Sequence, residues 1–438
     1  MGRRTVVVAA SAVLAGALPP AGGAAAAAAA TTGDGTSNAT SPGNRTAYRT
    51  DGSPGDGPAP TGGPGGVTLR LPAPTGPHPV GIATLHLVDH TRRDPWDPSI
   101  PVREVMVTVL YPARPATDRP VAPQMTPEAA VVFGVLARRL RPGLPEAGVD
   151  WGATATHAHP DAPALPGRRP VLLYSPGGGD PRTLGTAAAE ELASRGYVVV
   201  TIDHPGDAVV VEFPGPATAF RDTVRTTVFR DDPRTDPEMF RTMIETRVAD
   251  TRFVLDRLAE LAAGRTPDVH RRTPPRHLGR ALDLRRTGCY GHSAGGTTAA
   301  EAMYRDRRVR AAVTMEGFLD HPSPAPGTPG ELFPVARYGV DRPLLLLGTD
   351  GFEGQRELET SWAAMTAHPG GHTHRRMLDR SAHWVFTDLA ALVPQLQRAG
   401  LVTAGARAGL VGTVEPSHSV RTVRGMLLGF FARHLPVC

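Results

Sequence analysis

Gly291-His292-Ser293-Ala294-Gly295-Gly296 is the stretch that decides the fold. It is a G-x-S-x-G with an apolar run, Thr287 to Gly291, before the serine and a helical pattern, Gly296 to Arg305, after it. Strand, sharp turn and helix in that order are the context a nucleophile elbow requires. The turn strains the backbone of the nucleophile, and Cβ atoms on either side would clash, so Gly291 and Gly295 flank it. Ser293 Oγ is thereby held out above the edge of a sheet.

Outward from the elbow, short apolar strands alternate with helical stretches from Val80 onward, the pattern of an α/β domain with a mostly parallel sheet. The expected strands are eight: Gly81 to Val88, Glu104 to Tyr111, Val171 to Tyr174, Val198 to Ile202, Thr287 to Gly291, Val309 to Thr314, Leu344 to Leu347 and Arg375 to Leu378. The first two are close enough to form an antiparallel hairpin. Helices are expected over Leu184 to Ser194, Glu238 to Ala263 with Gly264 as its stop, Gly296 to Arg305, Leu358 to Ala367, Phe386 to Ala399 and Val420 to His434. Two interruptions, Pro123 to Arg169 and His204 to Asp236, exceed ordinary connections and read as walls or a lid over a site.

A serine hydroxyl is a weak nucleophile until a base takes its proton, so a histidine is expected after the last strand. His383 fits, in the turn Arg380-Ser381-Ala382-His383-Trp384 that leads into a helix. His418 and His434 belong to the C-terminal helix and read as surface or packing residues, and His292 as a structural neighbour with its side chain turned away. The third member must be a carboxylate at a strand end between Ser293 and His383. Glu316 ends the sixth strand and Asp350 the seventh, each followed by Gly. Spacing does not choose between them. Acyl transfer also needs donors for the oxyanion. Ser175-Pro176-Gly177-Gly178-Gly179-Asp180 is a Gly-rich turn after the third strand, and the expected donors are the amides of Gly178 and Ala294. No G-K-[ST] follows it, so it is not a phosphate loop.

The chain has 438 residues, 40% of them apolar, enough for a large core. All 47 basic side chains are Arg, the formal charge is +5, and the aromatic share is 5%. Without a clustered basic face and stacking aromatics, nucleic acid is excluded as a partner. Met1 to about Ala30 carries Arg3-Arg4, an apolar run from Thr5 to Leu18 and small residues, which is a secretory signal; the expected location is extracellular. The apolar run is too short for a membrane span. Between Thr31 and Gly66 there is no Val, Leu, Ile, Phe or Met, so residues 31–66 are expected to be a disordered linker before a catalytic domain at 67–438. Asn38-Ala39-Thr40 and Asn44-Arg45-Thr46 match glycosylation acceptors in low-complexity sequence and carry no weight. Of the two cysteines, Cys289 reads as a buried thiol, with a bridge to Cys438 as the alternative. His157 and His159 with Asp161, and His372 and His374 with His368, lack firm ligand spacing, so neither a metal nor a cofactor is expected.

Several segments together resemble the platelet-activating-factor acetylhydrolase-like group of α/β-hydrolases in its secreted bacterial form. They are Arg103 to Val109 with Tyr111-Pro112, Tyr174 to Gly177, Ile202-Asp203-His204-Pro205 followed by Val209 to Phe213, the elbow with its doubled Gly295-Gly296, and His383 to Asp388. The resemblance runs from about Val80 to Leu435 and implies an α/β-hydrolase fold. In that family the acid usually follows the sixth strand, which favours Glu316 over Asp350, although the family residue is commonly Asp. Pro176 stands where the family often has His. The resemblance implies hydrolysis of short or oxidised acyl groups of phospholipids, or of simpler esters, without calcium or cofactor and with transient contact to a lipid surface. Two other readings remain: an exported acyltransferase or polyester hydrolase using the same triad, and a non-catalytic binding protein on a hydrolase scaffold.

Overall fold

Leu344 to Leu347, four leucines bounded by Pro343 and Gly348, are all buried, as a strand covered on both faces must be. They lie inside a nine-stranded sheet. The computed structural model describes residues 62–63, 66–116, 118–215, 223–323, 328 and 330–437. The expected signal segment, the glycosylation sites, nearly all of the linker and Cys438 lie outside the described residues.

The strands are β1 (Val80–Asp89), β2 (Arg103–Pro112), β3 (Ala158–Pro160), β4 (Arg169–Ser175), β5 (Val198–Asp203), β6 (Leu282–His292), β7 (Val309–Met315), β8 (Leu344–Thr349) and β9 (Thr373–Leu378). Their spatial order is β9-β8-β7-β6-β4-β5-β2-β1-β3. All eight expected strands are present, and β1 and β2 pair antiparallel from Val80↔Pro112 to Asp89↔Arg103. The β2/β5 pair is also antiparallel, and every other pair is parallel. The ninth strand is a correction to the expected eight. Ala158–Pro160 adds to the edge beside β1, where the missing N–H of Pro160 does no harm. Only the end of the expected linker falls among the described residues. Gly62–Gly63 pairs with Gly66 and Val67, and Val67–Thr68 with Val149–Asp150, so paired backbone begins before residue 67; such pairing needs no side chain.

Helices cover both faces. On one side α3 (Pro237–Ala262), α4 (Ala294–Arg305) and α5 (Gln355–Thr366) bring Ile244, Val254, Leu258, Met303 and Trp362 against Val107, Val200, Leu173 and Leu346. On the other, α2 (Thr186–Ser194) and α8 (Pro416–His434) bury Leu192, Leu427 and Phe431 against Leu172, Val199, Tyr290 and Val313. The remaining expected helix is α6 (Leu389–Arg398), preceded by a 3₁₀ turn, His383–Phe386. Besides two short helices, Leu278–Ala281 and Pro334–Tyr338, the helices not expected among the described residues are α1 (Pro127–Leu140), inside the first interruption, and α7 (Ala404–Val411). Phe133 of α1 packs with Leu392, Leu396 and Leu410 in a third apolar cluster, so this interruption is a built wall.

Candidate active site

The elbow is built as its glycines require. Ser293 has φ +53° and ψ −124°, a conformation that non-glycine residues rarely hold outside functional sites. A Cβ on Gly291 would lie 2.1 Å from the carbonyl oxygen of Gly295, and one on Gly295 would lie 1.9 Å from that of Ser175. The doubled Gly296 has its own cause, since a Cβ there would meet Thr314 Oγ1 at 2.4 Å where α4 crosses β7. The amide of Ser293 donates to Met315 O at 2.8 Å, locking the serine to the end of β7.

Glu316 is the next residue, also at positive φ (+55°) and fully buried. Its Oε2 lies 2.6 Å from His383 Nδ1, while Oε1 accepts from the amide of Thr349 at 2.7 Å and from its hydroxyl at 2.5 Å. Burial pushes this carboxyl up, but the bond from His383, its charge and the Thr349 hydroxyl outweigh it and hold the group below the ordinary carboxylate value. Asp350 is elsewhere. It is exposed and accepts from the amides of Arg380 and Ser381 at 2.8 and 3.1 Å, bracing the loop that leads to His383. His292 is buried behind the site. Its Nε2 donates to His383 O at 2.9 Å, and the two rings are 4.3 Å apart, so it ties the elbow to the histidine loop. His418 and His434 both lie on α8, as expected.

The loop carrying Gly178 runs beside the elbow; a Cβ on Gly178 would sit 3.8 Å from that of Ala294. Among the described residues no protein acceptor is bonded to the amide of Gly178 or of Ala294. The rest of the loop is tied down by charged groups with no access to solvent. Arg247 of α3, 1% exposed, donates to the carbonyls of Pro176 (2.6 Å) and Gly177 (2.9 Å) and pairs with Asp207 (2.5 and 2.8 Å). Asp207 in turn accepts from the amide of Gly179 at 2.9 Å. Ser175 Oγ meets His204 Nε2 at 3.0 Å, His204 Nδ1 donates to Asp250 at 3.0 Å, and Asp250 pairs with Arg103 at 2.8 Å. Burial holds His204 below the ordinary histidine value. The Arg103 guanidinium and the His204 bond hold Asp250 far below the carboxylate range despite its burial. Sequence reading assigned no role to Arg247, Asp207, His204, Asp250 or Arg103. One signal was available: Arg247 falls on the apolar stripe of α3 between Ile244 and Thr251.

Both interruptions reach this loop. Leu140 at the end of α1 fills the space beside Gly179, and the neighbouring Arg141 pairs with Asp180. In the second, Val210–Glu212 and Val224–Thr226 form a hairpin, and Pro233 lies 3.7 Å from where a Gly178 Cβ would be. A row of rings leads away from the histidine: Phe352 stacks on His383 at 4.4 Å, Phe318 is 5.8 Å from Phe352, and the Arg234 guanidinium lies 3.6 Å from the centre of the Phe318 ring. A separate cavity of about 280 Å³ is lined by Ile82, Leu110, Gln124, Met125 and Thr201, and by none of Ser293, His383 or Glu316.

Of the other singled-out residues, His157 Nδ1 is 3.0 Å from Glu190, His159 Nδ1 accompanies Arg119 O, and His368 Nε2 donates to Ala336 O at 2.7 Å. Among the described residues no three His, Cys, Asp or Glu side chains gather as a metal site would need. Cys289 is buried, and burial pushes its thiol up; the alternative bridge to Cys438 falls outside the described residues.

The family model described as platelet-activating factor acetylhydrolase, isoform II, matches residues 67–437. A probable 1-alkyl-2-acetylglycerophosphocholine esterase of Arthroderma benhamiae is 25% identical over 388 residues, 83% of this chain and 88% of that one. The platelet-activating factor acetylhydrolase of Gallus gallus is 22% identical over 308 residues, covering 65% of this chain and 66% of its own length. Among solved structures, a ferulic acid esterase from Streptomyces cinnamoneus superposes with a TM-score of 0.63 at 33% identity, covering 84% of this chain and 93% of that one.

Proposed function

This chain belongs to the platelet-activating factor acetylhydrolase isoform II family of ester hydrolases, and from that premise we propose that it is an exported serine esterase acting through Ser293, His383 and Glu316. The observation that carries the reading is the 2.6 Å contact of His383 Nδ1 with buried Glu316, next to a serine held at positive φ. With Nδ1–H donated to Glu316, Nε2 of His383 is the free base that takes the proton of Ser293 Oγ as it attacks the ester carbonyl. The amides of Gly178 and Ala294 receive the oxyanion. His383 then hands its proton to the leaving alcohol, and a water activated in the same way releases the acyl group from Ser293. Export rests on the composition of residues 1–30.

For substrate, the family supports a short or oxidised acyl group at the sn-2 position of a phospholipid. A second reading is favoured by the 33% identity to a ferulic acid esterase and by the Phe352 and Phe318 rings beside His383: an aromatic acyl or aryl ester. The test is a panel of p-nitrophenyl butyrate, a 2-acetyl phosphatidylcholine and methyl ferulate, run on wild type and Ser293→Ala. All hydrolysis is expected to vanish in the variant, and the ratio of kcat/KM values ranks the substrates. Activity that survives Ser293→Ala overturns the mechanism.

A further inference from the structure

We propose that Arg247 is a positioning residue for the oxyanion, acting through the peptide group between Gly177 and Gly178; this rests on the serine-esterase reading above. In a planar trans peptide the C=O and N–H point in opposite directions. Arg247 Nη2 holds the carbonyl of Gly177 at 2.9 Å, and Nη1 holds that of Pro176 at 2.6 Å. Fixing the carbonyl of Gly177 toward α3 turns the Gly178 N–H the other way, toward Ala294 and the elbow. A cation bonded to the carbonyl of a peptide also polarises its N–H, making it a better donor, and the burial of Arg247 limits screening by bulk solvent.

The guanidinium is itself held on all sides. Nε and Nη2 pair with Asp207, which also takes the amide of Gly179, so residues on both sides of Gly178 are fixed by one ion pair. Ser175 Oγ accepts from Nη1 at 3.3 Å and donates to the neutral Nε2 of His204, whose Nδ1–H goes to Asp250. Thus the chain Arg247, Ser175, His204, Asp250 runs in one donor-to-acceptor direction. Only the planar fork of arginine reaches these acceptors together; a lysine ammonium is a point charge with a different reach. A scaffold this charged, with no solvent access, is a poor source of stability compared with apolar packing. Its position behind a single peptide group is what a preorganised donor needs.

The experiment compares Arg247→Lys and Asp207→Asn with wild type, with Ser293→Ala as the control for the underlying reading. It measures kcat and KM on p-nitrophenyl butyrate, the inhibition constant of butylboronic acid, and a thermal melt. The boronate becomes a tetrahedral anion on the serine and needs the donors, whereas ground-state substrate binding does not. The expected result for Arg247→Lys is a kcat lower by about 10- to 100-fold with KM within about threefold, and boronate affinity weakened in proportion to kcat. A folded Arg247→Lys protein with wild-type kcat and boronate affinity overturns the proposal, as does a loss confined to KM. Should Arg247→Lys fail to fold, Asp207→Asn decides: a parallel loss of kcat and boronate affinity supports the proposal, and wild-type values overturn it. If Ser293→Ala hydrolyses the ester like wild type, the serine reading has failed and the proposal falls with it.

Discussion

At the scale of single residues, two carboxylates share one sequence description and have different surroundings. Glu316 touches His383, is fully buried and has its second oxygen occupied by Thr349; Asp350 is exposed and accepts from two backbone amides of the loop before His383. Glu316→Gln keeps the shape but loses the charge that orients and stabilises the imidazolium. Its kcat on p-nitrophenyl butyrate is expected to fall by about 10³ to 10⁴. Asp350→Asn weakens two surface hydrogen bonds, each worth about 1 kcal/mol, so kcat is expected to stay within about tenfold of wild type. The reverse order of losses would assign the acid to Asp350. The sequence names Ser293 and His383 as candidates because the proposed chemistry demands a glycine-flanked turn and a histidine after the last strand; the structure puts the first in a strained elbow and the second against Glu316. Spacing alone does not name the acid, because both strands end in an acid followed by Gly; the family resemblance is what favours Glu316. The structure separates the two by the left-handed turn at Glu316, which sends a side chain longer than Asp back toward His383. Arg247 was half legible: a charge on an apolar stripe announces a buried partner but not which one.

At the scale of elements, the strands were read correctly because a run such as Leu344 to Leu347 or Val198 to Ile202 carries its burial in its composition. Helix α1 was missed for the opposite reason. Pro127-Glu128-Ala129-Ala130-Val131-Val132-Phe133 lies in a Pro-rich interruption, and its valines do not mark one face: Val131 and Val135 are 69% exposed, while Phe133 is buried. Its burial comes from distant chain, Phe133 against Trp151 within an apolar cluster that includes Leu392 and Leu410, which no local pattern states. The elbow makes the sharpest element-level prediction. In Gly295→Ala the new methyl group meets two backbone oxygens, at 1.9 and 2.5 Å, and neither can rotate away. Overpacking of this kind costs about 1 to 3 kcal/mol or more, so the melting temperature should drop by several degrees, together with loss of fluorophosphonate labelling at Ser293. By contrast, Gly425 is exposed in the middle of α8, with nothing within 4 Å of an added Cβ. Gly425→Ala is expected to stabilise by about 0.5 to 1 kcal/mol through helix propensity alone. A differential scan of the two variants checks both signs; equal shifts would mean that the crowding around Gly295 relaxes.

At the scale of the whole molecule, the loops around the site are joined by buried polar groups, and these groups set how stability responds to pH. His204 and His292 are both almost completely buried. Burial holds each below the ordinary histidine value of 6.5; Arg247 adds to the effect at His204, and the neighbouring His383 adds to it at His292. In the folded protein they therefore stay neutral at a pH where the unfolded chain has already taken up a proton on each. The stability these two histidines contribute is fully present above about pH 6.5 and is lost as the pH falls below it, because unfolding binds protons to them there. Each histidine contributes a slope of up to about 1.4 kcal/mol per pH unit. Glu316, Asp250 and Asp94, all held below the carboxylate range, add losses of the same sign only at lower pH, once the unfolded carboxylates begin to protonate. Burial raises three carboxyls, Asp388 to about 8, Asp320 to about 6 and Glu301, and these act with the opposite sign in the same range, so the histidine contribution is read as the difference between wild type and variant in denaturant unfolding at pH 5, 6, 7 and 8. His204→Gln removes one of the protons taken up on unfolding, so its stability change between pH 6.5 and 5 should differ from that of wild type by up to about 1.4 kcal/mol per unit, in the direction of a smaller loss on acidification, whatever its stability at pH 8. A variant with the wild-type slope would mean that His204 is protonated in the native state. The chain from Ser175 O–H to the neutral Nε2 of His204 would then have to run in the opposite sense.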